Sequence, residues 1–117
     1  MITKKPIPLP KLLKKAQIVF NAWIRERDKD KGCISCGAEI TEAGHYRSQG
    51  HYGSLRFNEM NTNGQCVRCN RFLHANLIEY RKGLVKRYGE EKVLMLESVG
   101  GFKKWTRFEL ESIIKEY

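Results

Sequence analysis

Two Cys-x-x-Cys pairs, Cys33 with Cys36 and Cys66 with Cys69, constrain this chain more than any other feature. A two-residue gap lets both sulfurs of a pair face one ion, and four thiolates suit tetrahedral Zn²⁺. All four cysteines of the chain are used, so no coordination position is left for a substrate water. The ion is therefore expected to be structural, one per chain, with a binding free energy that counts as folding free energy. A redox pair or an iron–sulfur cluster could use the same residue types. Gly37 directly after the first pair, and the strand-like stretch between the pairs, favour zinc. At 117 residues the chain suits a single domain, 1–117, whose modest core gains from a bound metal.

The formal charge of +9 is unevenly spread. Residues 1–31 carry nine Lys/Arg against three acids, residues 32–89 eight against four, and residues 90–117 five against six. A basic excess confined to the N-terminal arm and the cysteine-containing centre favours nucleic acid, held through phosphate contacts and counterion release. No apolar run approaches a membrane span, and the N-terminus lacks the apolar core of a signal peptide. With paired cysteines, this points to a reducing cytoplasm and away from a membrane partner.

Pro6, Pro8 and Pro10 mark residues 1–10 as an extended arm. Leu12, Leu13, Ala16, Phe20, Trp23 and Ile24 recur at helical spacing and predict an amphipathic helix over 11–28, within a basic segment 11–31. Lys11, Lys14 and Lys15 fall on or near its other face and are candidate phosphate contacts. "AGHYRS" and "SLRFNE" read as two strands of a hairpin joined by "QGHYG", and "NTNGQ" reads as a loop. A helix is expected to start near the second cysteine pair. Asn76 with Glu79 matches a capping box, leading a stripe of Leu77, Tyr80, Leu84, Val85 and Tyr88 that stops at Gly89. Residues 90–97 read as a short helix. Thr106 with Glu109 caps a last helix, with Phe108, Leu110, Ile113, Ile114 and Tyr117 on its buried side. The fold class is thus α+β: a zinc-bearing core over 32–89 flanked by N- and C-terminal helices.

Zinc does not explain His45, in the stretch between the two pairs, nor the run of asparagines. A neutral histidine can take a proton from water near pH 7. An asparagine can ligate a hard cation through oxygen or fix an imidazole by hydrogen bonding. A strand-borne His45, with Asn61 in the loop and Asn70 on the facing helix, outlines a ββα-metal nuclease site using Mg²⁺ or Mn²⁺. The local alternative makes Asn61, Asn63 and Asn76 ordinary turn and cap residues. Carboxylates near the centre are few, namely Glu39, Glu42, Glu59 and Glu79. A two-metal site needs a cluster of acids, so one metal with a histidine base fits better.

The segments "PLPKLLKKAQIVFNAWIRERD", "CISCGA", "AGHYRS", "LRFNEMNTNGQCVRCN" and "NLIEYR" resemble the NinG/Rap recombination proteins of lambdoid phages. The resemblance runs from Pro8 to about Gly89 and more loosely beyond. It implies an HNH-like, treble-clef zinc core and a structure-specific endonuclease of phage or prophage origin that cuts Holliday junctions and D-loops. It implies His45 as general base, Asn61 as the residue that orients it or supports a metal, and Asn70 where many HNH proteins place a metal-binding histidine. Gly44 stands where many carry an acidic or histidine ligand. Glu42 and His74 are the reserve ligands, with Asn76 a secondary candidate, and His51 reads as a surface residue. Arg47, Arg56, Arg68 and Arg71 are expected to flank the scissile phosphate. Recognition of branched DNA would be readout of shape. A symmetric junction suits a homodimer, and phage or host recombination proteins are further expected partners. A zinc module that binds branched DNA or such a partner without cutting shares the same charge and zinc ligands.

Overall fold

The structure is a computed structural model and describes residues 5–117. The part of the N-terminal arm over 1–4 lies outside the described residues. Helix α1, Leu9–Asp28, begins two residues earlier than the spacing suggests, because a proline in the first turn costs no internal hydrogen bond. It is followed by strand β1, Glu42–His45, and strand β2, Thr62–Gln65. Helices α2, Leu77–Tyr88, α3, Glu90–Ser98, and α4, Arg107–Glu116, complete the order.

The two strands pair antiparallel, with Glu42 opposite Gln65 and His45 opposite Thr62. This corrects the sequence expectation at two points. "SLRFNE" is not a strand: Gly53–Leu55 is one 3₁₀ turn inside a long connection. "NTNGQ" is not a loop but supplies β2. The strand is hard to see because all its residues are polar or glycine, yet every one is buried. Hydrogen bonding rather than alternation of apolar residues fixes it.

Asn63, expected to be a loop residue, is the centre of that bonding. Its Oδ1 accepts from Arg27 at 3.2 Å, Arg87 at 3.0 Å and Tyr88 at 3.3 Å. Its Nδ2 donates to the Met60 carbonyl at 2.9 Å and to the Tyr80 hydroxyl at 3.2 Å. Beside it Asp28, the last residue of α1, is fully buried and accepts from the Gly64 amide at 2.8 Å and from Arg27 at 2.7 Å. Burial pushes the Asp28 carboxyl up, but Arg27, the Gly64 amide and Arg87 outweigh it and hold the group below its ordinary range.

Apolar packing lies in two bodies on either side of this polar layer. In the first, Leu12, Ala16, Phe20 and Ile24 of α1 meet Phe57 and Leu110 of α4. Phe20 takes both Phe57 and Tyr117 edge-on, with ring centres 5.7 and 4.9 Å away. In the second, Ile34, Leu55, Tyr80, Leu84, Val93 and Leu96 join the first cysteine knuckle to α2 and α3. Helix α2 lies directly on that knuckle: a Cβ on Gly83 would overlap the Ile34 carbonyl oxygen. The Thr106–Glu109 capping box is present, whereas Phe108 points into solvent at 80% exposure. Phe108 lies off the seam through which Leu110 reaches α1. Leu77 is also exposed, leaving Tyr80 and Leu84 as the buried stripe of α2.

Candidate metal centre and nucleic-acid site

The four cysteine sulfurs converge to within 4.8 Å of one another, and Cys36 Sγ lies 3.6 Å from Cys66 Sγ. Thiolates at about 2.3 Å from a tetrahedral Zn²⁺ stand roughly 3.8 Å apart, so the group fits such an ion. Local backbone geometry builds each half. The Cys33 amide donates to the Ala38 carbonyl, the Gly37 amide to the Cys33 carbonyl, and the Cys69 amide to Cys66 Sγ. Cys33 and Cys69 are buried, while Cys36 is exposed.

Beyond the second pair the chain does not run straight into a helix. A single wide helical turn, Arg68–Phe72, is followed by His74, Ala75 and Asn76, all at positive φ of 49°, 73° and 48°. The expected capping box at Asn76 does not form. Its backbone is left-handed, and its side-chain amide donates to Cys69 Sγ at 3.6 Å. The twist turns the Ala75 carbonyl inward, where it accepts from Ser35 Oγ and from Gln65 Nε2 at 2.8 Å. His74, the reserve ligand, is exposed on this turn.

Gln65, which the sequence reading passed over, is fully buried. Its Nε2 is taken by Ser35 and Ala75, so Oε1 must face the other way, and it has no hydrogen-bond partner. A Cβ on Gly44 would overlap that oxygen and stand 2.9 Å from Asn70 Oδ1. Gly44 thus leaves the space in which two amide oxygens approach β1. Asn70 is oriented by donating from Nδ2 to Glu42 Oε1 at 2.9 Å. Glu42 is also paired with Arg71. Burial pushes the Glu42 carboxyl up, but Arg71 and Asn70 outweigh it, so the group is held ionised below its ordinary range. Thr41, Glu42, Ala43, Asn70 and Arg71 share a surface pocket with Asn21 and Arg25 of α1. Lys14, Asn21 and Arg25 recur at helical spacing, so the exposed stripe of α1 leads to this pocket. Lys11 and Lys15 are exposed alongside it.

His45, the last residue of β1, is half-buried and projects from the face opposite to Gly44 and Glu42. Its Nε2 lies 3.0 Å from the Arg56 carbonyl oxygen. A carbonyl only accepts, so Nε2 carries the hydrogen and neutral imidazole leaves Nδ1 bare. Burial, reinforced by the Arg56 charge and opposed by that hydrogen bond, holds His45 below its ordinary value. The structure therefore brings Glu42, Asn70 and Arg71 together but joins His45 by hydrogen bond to neither Asn61 nor Asn70.

Asn61 is buried behind the connection from β1. Its Oδ1 accepts from the Arg47 amide at 2.8 Å, and its Nδ2 donates to the Arg47 and Leu55 carbonyls. Both ends of its amide are thereby occupied, which corrects the expectation of a metal-supporting side chain: Asn61 shapes the loop that follows His45. Arg47, expected beside the phosphate, is likewise turned inward. It stacks on Tyr46 and Tyr52 and donates to the Glu97 carbonyl at 2.9 Å, fastening α3 to the loop. Arg68 and Arg71 are exposed, as is His51. Among the described residues no helix is long and apolar enough to cross a membrane.

The family model of the bacteriophage lambda NinG protein matches residues 3–117. The NinG protein of Escherichia phage lambda is 45% identical over 108 residues, covering 90% of this chain and 53% of that relative. The NinG proteins of Escherichia phage 933W and Salmonella phage P22 are each 44% identical over 108 residues. They are covered to 54% and 53% of their length, respectively. The chain thus spans about half the length of the curated relatives it matches. No solved structure matches. The chain belongs to the NinG family of bacteriophage proteins.

Proposed function

We propose that this chain is a metal-dependent endodeoxyribonuclease that hydrolyses phosphodiesters in branched recombination intermediates such as Holliday junctions and D-loops. Its core would be of the HNH-like ββα-metal, treble-clef kind, working in the cytoplasm of the phage's host. The observation that carries this reading is His45: neutral by burial, with its hydrogen fixed on Nε2, it offers Nδ1 as a base. In hydrolysis Nδ1 accepts a proton from water, the water oxygen bonds to phosphorus, and the bond to the 3′ oxygen breaks. Hard oxygen donors gather on the face of β1 opposite to His45, in the unpartnered Gln65 Oε1, Asn70 Oδ1 and the Glu42 carboxylate. These suit Mg²⁺ or Mn²⁺. When bound there, such an ion supplies charge neutralisation at the scissile phosphate and the departing oxygen. Lys11, Lys14, Lys15, Arg25 and Arg68 would hold the flanking phosphates, and a homodimer would match a symmetric junction.

Purified zinc-loaded chain is expected to cut a labelled four-way junction in Mg²⁺, and His45→Ala is expected to lose at least about a hundredfold in rate with junction affinity kept. Equal cutting by both proteins, or none under any divalent ion, would sink the reading. A second reading, a zinc module that binds branched DNA or a recombination partner without cutting, is favoured by one observation. The carboxylate nearest the site, Glu42, is already paired with Arg71.

A further inference from the structure

A cleft of about 360 Å³ opens beside the connection that holds His45. Leu9 and Leu13 of α1, Leu110 of α4 and Trp105 give it apolar walls. Phe102 stands at its rim with 89% of its surface exposed. Trp105 is fixed: its ring nitrogen donates to the Gly53 carbonyl at 3.0 Å, and its ring lies 4.9 Å from Phe57, edge to face. The charges on the cleft are cationic. Lys104 is exposed. Lys103 lies over the Trp105 ring and pairs with Glu109, the nearest acid. Arg56 is half-buried in the wall, and its Nε donates to Gln17 Oε1 at 2.8 Å and to Gln49 Oε1 at 3.3 Å. Both partners are neutral amides, and among the described residues no carboxylate pairs with Arg56. A half-buried guanidinium with neutral partners, at the mouth of an aromatic cleft, is complementary to a ligand that is anionic at one end and flat and apolar at the other.

We infer that this cleft receives an unpaired nucleotide of a DNA strand, its base against Phe102 and Trp105 and its phosphate on Arg56. Aromatic platforms flanked by cations take single-stranded bases with little regard to sequence, because every base has a stacking face. The size suits one base. The location couples it to the candidate catalytic group, since the Arg56 that would meet the phosphate also holds His45 through its carbonyl. The inference rests on the proposed function for its DNA substrate. It adds that a branch would be recognised partly by a base its strands leave unpaired.

The zinc-loaded full chain should be titrated, by anisotropy, into three duplexes of equal length. One is fully paired, one carries a single bulged thymine, and one carries an abasic bulge. The bulged thymine is expected to bind about tenfold tighter than the abasic bulge. Phe102→Ala is expected to reduce that ratio toward one while leaving affinity for the paired duplex unchanged. Phe102 is exposed, and an unchanged far-UV circular dichroism spectrum and melting temperature verify that the variant folds. Equal affinity of wild type for the two bulges overturns the inference. So does a Phe102→Ala variant that keeps the ratio or weakens all three duplexes alike. Oligomerisation blocked by Phe102→Ala, with no preference for the base, gives the cleft to a second copy and also overturns it. Cutting of a junction without bulge discrimination removes the cleft and leaves the nuclease. Discrimination without cutting removes the nuclease and leaves the cleft.

Discussion

Replacing Asn63 by leucine keeps the branched outline of the side chain, with somewhat greater bulk, and removes five hydrogen bonds from a fully buried position. Arg27, Arg87 and Tyr80 would keep their polar atoms inside with fewer partners, and unmet buried groups cost more than the bonds themselves yield. A loss of about 3 kcal/mol in urea unfolding is expected, against less than 0.5 for a control at exposed Ser112. Gly44→Ala acts by crowding. The new methyl must displace the Gln65 amide, whose Nε2 then leaves Ser35 and Ala75, for a cost of about 1–3 kcal/mol. His45 gives a pH prediction. Its folded pKa is depressed, so the folded protein binds fewer protons than the unfolded chain as pH drops below about 6.5. Its contribution to stability is present above that pH and is lost as pH falls through the lower folded value. The acid limb of the cutting rate should likewise lie below the ordinary histidine value, and a limb at or above pH 6.5 would contradict a neutral, buried base.

Between the second cysteine pair and α2, three consecutive residues other than glycine hold a left-handed backbone. Each costs about 1 kcal/mol, and the wide turn of Arg68–Phe72 joins them in place of a continuous helix. The bonds that keep this twist are the Asn76 amide on Cys69 Sγ and the Ala75 carbonyl on Ser35 and Gln65. Ala75 enters these bonds only through its carbonyl, so Ala75→Gly keeps every one of them and relieves the strain, which outweighs the loss of one partly buried methyl against the second apolar body. It is expected to raise the unfolding free energy by about 0.5–1 kcal/mol with zinc content unchanged. The sequence could not reveal this element, because Asn76 and Glu79 satisfy the pattern of a capping box while the side chain of Asn76 is drawn to sulfur. The helices α1, α3 and α4 were legible because apolar periodicity is a local signal. The cysteine knot was legible because ligand spacing is one too. Strand β2 was not, since its burial depends on Asp28, Arg27, Arg87 and Tyr80, which lie far away in sequence. Of the candidate site, the types His45 and Asn70 could be picked out. That Asn61 and Arg47 turn inward, and that Gln65 fills the space Gly44 leaves, depends on the path of the connection between the strands.

Charge and metal act on the molecule as a whole. The four cysteines, which could hold one metal ion, bring residues 33–36 against 66–69, and the second apolar body packs on that cluster through Ile34 and Gly83, whereas the first body, formed by α1, Phe57 and α4, contains none of the cysteines. The exposed stripe of α1 is therefore borne by the body without the cysteines and reaches the β1 pocket, and the cluster is expected to help keep the two in register. Two measurements separate these contributions. Lys11, Lys14 and Lys15 are exposed and belong to no ion pair among the described residues. Changing all three to glutamine should leave the melting temperature within a few degrees, because surface charges without partners contribute little to stability. It should also flatten the dependence of log affinity on log salt by about 0.9 for each phosphate contact removed, approaching 2.7 if all three lysines touch DNA. Stripping the zinc should leave the lysines in place but lower affinity for branched DNA more than for plain duplex, since the grip survives and the alignment does not. A slope unchanged in the triple variant would place the DNA on another face of the protein. The exposed Arg68 and Arg71 beyond the second cysteine pair would then be the cations to substitute next.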